Sequence, residues 1–120
     1  MRNIAEFQII GRVGKVKEVG STLRVSICAN YPVKDKQGEW QDNPHWNEVV
    51  IFQESTQGYV KKHIEQGDLV FARGRVREGR YTKDGEERFT VDLICADFSR
   101  LAKPNGEAAS EAPSDDDIPY

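Results

Sequence analysis

Read as a strand, residues 71–77 (FARGRVR) place Phe71, Arg73, Arg75 and Arg77 on one face, because strand side chains alternate with a period of two. Val70, Ala72, Gly74 and Val76 take the other face, which is small and apolar and suits a barrel interior. Three guanidiniums in a row repel one another unless an anion or nearby carboxylates meet them. Residues 45–52 (HWNEVVIF) carry a complementary signal: Trp46, Glu48, Val50 and Phe52 share a face opposite Asn47, Val49 and Ile51. Guanidiniums neutralise phosphates, and aromatic rings stack on bases at ~1–3 kcal/mol per base whatever the base is. The mixture recurs where Arg77, Arg80, Tyr81, Lys83 and Arg88 surround one ring, and again in Tyr31, Lys34, Lys36 and Trp40; Arg12 and Lys15 add cations near the start. Together these residues point to a flexible, single-stranded nucleic acid. Two readings stand beside it: arginines paired with neighbouring carboxylates, and Trp46 and Phe52 packed in the core or against another subunit.

Other chemistry has little to stand on. His45 and His63 fall on different elements, and no Cys, His, Asp or Glu cluster has ligand spacing. There is no nucleophile elbow, P-loop or dinucleotide fingerprint, and Gly11-Arg12-Val13-Gly14 is too short to cradle phosphates. No catalytic residue, metal or cofactor is expected; a nuclease on such a body would need carboxylates converging on one cleft. Cys28 and Cys95 sit in apolar runs and read as two small buried residues.

The elements that must position these groups are mostly strands. Residues 4–18 read as a long strand bent at Gly11 or Gly14. In residues 22–31, Leu23, Val25, Ile27 and Ala29 alternate as a half-buried strand should. Residues 32–44 read as a protruding loop or hairpin, and 45–52 as the next strand. Residues 55–66 form the one plausible helix, capped by Ser55 or Thr56, ended by Gly67-Asp68, and striped by Tyr59, Val60 and Ile64. Residues 69–77 and 89–98 complete five strands, joined by a hairpin with its tip at Lys83-Asp84-Gly85. Five strands with one short helix between the third and fourth predict an all-β, OB-fold barrel.

Charge is segregated. Residues 1–103 hold all 17 Lys and Arg against 15 Asp and Glu, a formal +2; residues 104–120 hold five acids and no base, a formal −5. The predicted organisation is a body at 1–103, a flexible linker at 104–114 and an acidic tip at 115–120, the tail being too poor in apolar residues to fold. Asp115, Asp116 and Asp117 suit a basic rim, Ile118 and Tyr120 an apolar pocket, and Pro119 limits the freedom lost on docking. No apolar run nears the ~18 residues that span a bilayer. The opening MRNIAEFQII lacks a signal-peptide pattern, so a cytoplasmic protein is expected.

Several of these motifs together resemble the bacterial single-stranded DNA-binding proteins. The resemblance covers roughly residues 3–101 and the last six. It rests on residues 9–14 (IIGRVG), 45–52, 61–70, Gly74-Arg75-Val76-Arg77 with Tyr81 and Gly85, and the ending Asp-Asp-Asp-Ile-Pro plus an aromatic. It implies an OB-fold that assembles as a homotetramer and wraps single-stranded DNA on the nucleoid. Trp46, Phe52 and Tyr81 would stack bases. The acidic tip would dock replication, recombination and repair proteins and compete with DNA for the basic surface. The chain departs from the family where Asn47 replaces a frequent interface histidine and where Tyr120 replaces the terminal phenylalanine. It departs again near Tyr31-Pro32, where a further stacking tryptophan is missing or displaced to Tyr31 or Trp40. A protein-interaction adaptor of primosomal type on the same fold is the alternative function.

Overall fold

A computed structural model of the chain describes residues 1–104. The acidic tip and all of the linker except Pro104 lie outside the described residues. Seven strands and one helix follow in order: β1 (Glu6–Val19), β2 (Thr22–Asn30), β3 (Val33–Lys34), β4 (Trp40–Gln41), β5 (Pro44–Ile51), α1 (Glu54–His63), β6 (Leu69–Lys83) and β7 (Glu86–Ala102). Five of them close a barrel in the order β1-β2-β5-β7-β6, with β6 pairing back onto β1. Every barrel pairing is antiparallel except β5 with β7. This is the predicted OB-fold barrel with its helix between the third and fourth barrel strands. The loop at 32–44 contributes the small extra β3–β4 hairpin.

The period-two pattern determines what the barrel encloses. Leu23, Val25 and Ile27 of β2, Val49 and Ile51 of β5, and Val70 and Ala72 of β6 are all fully buried. The helix closes one end, placing Val60 in the core, and Ile64 joins it just beyond the last turn. Beneath the helix, the buried Asp68 carboxylate accepts the Glu65 N–H at 2.8 Å and lies 3.7 Å from the Arg100 guanidinium.

Three local expectations need correction. The helix is shorter than 55–66 and starts after Gln53, with no side-chain cap; Ser55 and Thr56 lie inside its first turn, and the Thr56 hydroxyl donates to the Gln53 side chain. The two hairpin arms are continuous strand, since β6 and β7 stay paired from Leu69–Ala102 to Lys83–Glu86. Asp84 and Gly85 turn the corner with φ of 53° and 78°, and that left-handed pair matches the twist of the strands it joins. Cys28 is half-buried rather than buried, because it has the outward parity of β2; Cys95 is buried, and both thiols are free.

Candidate nucleic-acid interface

The centre of the outer surface is β5, flanked by β2 and β7. Trp46 and Phe52 point outward from its two ends and are 59% and 49% exposed, so neither belongs to the core. Phe52 lies six positions beyond Trp46, a rise of ~20 Å along a strand. The Trp46 ring reaches across β2 to the bulged part of β1, where register shifts between Val13 and Val16. It lines a hollow of about 430 Å³ with Gly14, Lys15, Ser26 and Gln66. At the other end, Phe52, Arg24, Val50, Arg77, Asp92 and Ile94 line a smaller hollow of about 50 Å³. A third hollow, of about 270 Å³, is lined by Trp46 together with Arg24, Glu48, Val50 and Asp92. It shares Arg24, Val50 and Asp92 with the hollow at Phe52, so the surface between the two rings is continuous. Val50 has the outward parity yet is only 5% exposed, sitting between Arg24 of β2 and Ile94 of β7 in the register.

The cations of this surface are mostly held by carboxylates. Arg24 pairs with Glu48 at 3.0 Å, Arg73 with Asp97 at 3.0 Å and Arg77 with Asp92 at 3.5 Å. The stripe expected at Arg73, Arg75 and Arg77 does face outward, but among the described residues only Arg75 has no ion pair there. Arg12 is occupied locally, its guanidinium donating to the carbonyls of Gly67 and Lys103 at 3.3 Å. Lys15 keeps its ammonium exposed, while its backbone N–H donates to the Ser26 hydroxyl at 2.8 Å.

The long hairpin separates residues that proximity in sequence had grouped. Arg77, Tyr81, Lys83 and Arg88 share one face in the β6–β7 register, whereas Arg80 shares the other with Phe89. The Arg80 guanidinium sits over the Phe89 ring at 5.2 Å and pairs with Glu87 at 3.5 Å. Arg88 pairs with Glu86 at 3.3 Å. In the smaller hairpin, Lys34 and Trp40 are cross-strand partners, and Trp40 is 69% exposed. Asp35 clasps the turn with its carboxylate, accepting the N–H groups of Gln37 and Glu39 and the Gln41 amide. Those bonds, Glu39 foremost, hold its pKa below the ordinary 3.8. Tyr31 stacks on His45 at 5.2 Å beside the barrel mouth, on the opposite parity to Trp46, so the two rings do not share a face.

Residues 4–101 match the family model described as "Single-strand binding protein family". The chain belongs to this family. Among relatives, it is 26% identical over 107 residues to a single-stranded DNA-binding protein of Xanthomonas campestris pv. campestris, covering 83% of this chain and 62% of that one. It is 29% identical over 112 residues to the Deinococcus radiodurans protein of that description, covering 88% and 36%. The chain thus spans about three-fifths or less of the length of these curated relatives. Two solved structures share the fold. One is a Plasmodium falciparum SSB in complex with ssDNA, with TM-score 0.68, 18% identity and coverage of 84% and 97%. The other is the mitochondrial single-stranded DNA binding protein Rim1 of S. cerevisiae, with TM-score 0.64, 20% identity and coverage of 82% and 96%.

The surface between the two rings also includes Arg24, which the sequence pattern did not single out; its signal was an arginine on the polar face of a strand that also carries Ser26. Phe89, counted above only as part of the fifth strand, is 60% exposed on the other face of the hairpin, beneath Arg80. Among the described residues, no three His, Cys, Asp or Glu side chains gather where they could hold a metal ion, and no helix is long and apolar enough to cross a membrane.

Proposed function

We propose that the chain binds single-stranded DNA without regard to sequence and without catalysis. The observation that carries this reading is the continuous outer surface from Trp46 to Phe52, which combines two half-exposed rings with the guanidiniums of Arg24 and Arg77. Bases stack on rings of that kind, while cations follow the phosphates. In this reading the body at 1–103 protects the strand and assembles as a homotetramer. The linker at 104–114 frees a tip, Asp115 to Tyr120, that recruits replication, recombination and repair proteins.

The test is titration with oligo-dT. Binding should quench tryptophan emission, exceed duplex affinity, and weaken with salt at a slope near −0.7 per phosphate neutralised. Trp46→Ala and Phe52→Ala should each cost ~1–3 kcal/mol of binding. Equal affinity for duplex and single strand would sink the proposal. Light scattering with and without oligo-dT reads the subunit count. Deleting residues 115–120 should abolish capture of DNA-processing proteins; undiminished capture would favour an adaptor that binds partners through its body.

A further inference from the structure

Two of the cations that border the rings, Arg24 and Arg77, are already held by carboxylates. Glu48 lies on β5 between Trp46 and Phe52 and holds Arg24 at 3.0 Å; Asp92 on β7 holds Arg77 at 3.5 Å. Both carboxylates sit on the surface itself: Glu48 and Asp92 line the hollow beside Trp46, and Asp92 also lines the one beside Phe52. The Arg24 Nε is buried and has no hydrogen-bond partner among the described residues, so Glu48 engages this guanidinium only through Nη1.

We propose that Glu48 and Asp92 are built-in competitors of the nucleic-acid backbone: they hold Arg24 and Arg77 until a single strand arrives, and phosphates then take the guanidiniums over. The inference rests on the proposed single-strand binding at this surface. Exposed ion pairs are weak, so exchange is cheap, yet each displaced carboxylate leaves a negative charge beside the bound strand. The two acids therefore lower the affinity of the site, and they do so most when salt is low and screening is slight. They also favour release, because a carboxylate stands ready to retake each arginine as a phosphate leaves.

The experiment is anisotropy titration of a labelled oligo-dT over a range of salt, with wild type, Glu48→Gln, Asp92→Asn, Arg77→Met and the Arg77→Met/Asp92→Asn double variant. Both acid variants should bind about two- to five-fold tighter at low salt, the size of one exposed pair, and the gain should fade as salt rises. The gain from Asp92→Asn should shrink when Arg77 is already methionine, because the competition then has no object. Unchanged affinity in the acid variants overturns the proposal, as does an equal gain in both backgrounds, which would reflect removal of charge alone. Wild type that fails to bind oligo-dT overturns the proposed function, and this inference with it. Wild type that binds while the acid variants do not differ overturns this inference alone.

Discussion

The indole of Trp46 and the backbone of Gly14 are in contact across an intervening strand. A Cβ on Gly14 would stand 2.5 Å from Cζ3 of that ring and 2.8 Å from the Ser26 hydroxyl. Glycine at the β1 bulge therefore supplies the bed on which the ring lies, leaving its outer side open. Gly14→Ala should tilt the ring and weaken oligo-dT binding by about 1 kcal/mol, part of the ~1–3 kcal/mol a stacking ring supplies. Urea unfolding should show the fold retained, because the ring is mostly exposed. Unchanged affinity with a shifted tryptophan emission would detach the ring's seating from DNA binding.

Asp35 should act as an acid-sensitive clasp of the β3–β4 hairpin. Its folded pKa lies below 3.8, so the carboxylate's contribution is present above that value and disappears as pH falls through the lower one. Amide resonances of Gln37 and Glu39, its two backbone donors, should titrate together there. Asp35→Asn should loosen the hairpin at neutral pH and increase the mobility of Trp40 without altering the barrel.

Cys95 should resist modification in the folded protein. Burial raises its pKa from 9.0 to about 11, so near neutral pH it stays a protonated, enclosed thiol, and alkylating reagents should reach the half-buried Cys28 first. Between pH 9.0 and about 11 the unfolded chain releases a proton that the folded chain keeps. Stability should therefore fall over that window and fall less in Cys95→Ala, as urea titrations at pH 8 and pH 10 would show.

Asp68 should be among the costliest polar residues to remove. It is 1% exposed, accepts the Glu65 N–H and faces Arg100, whose guanidinium donates to the His63 carbonyl at 2.7 Å. Asp68→Ala takes the carboxylate from a mostly buried pair and should cost about 3 kcal/mol. Asp68→Asn can keep the bond from Glu65 and should cost less. Thermal unfolding orders the three proteins, and a change under 1 kcal/mol in Asp68→Ala would contradict this role.

Much of the fold was legible along the chain because strand burial has a short period. Leu23, Val25 and Ile27 had to share a face, and that face had to be inside. Asp84-Gly85 announced a tight corner because few residue pairs accept positive φ twice in succession. The helix start was misread because Ser55 and Thr56 look like caps, whereas the turn's position follows from how β5 leaves the barrel at Ile51.

The sequence by itself determined the alternation, which put Trp46 and Phe52 on one face, and the division between a basic body and an acidic tail, since each depends on residue type and local geometry. That the two rings face outward rather than into the core was decided by the closed barrel. Tertiary structure alone decided between free and paired arginines and which carboxylate holds which. Arg24 and Glu48 are 24 residues apart, as are Arg73 and Asp97, and their meeting depends on strand order and register. The break in the β6–β7 register between Arg73 and Gly74 skips Ala96 and sets which acid opposes which arginine. An ion pair forms at a few ångströms, and no periodicity within one strand specifies what the neighbouring strand brings that close.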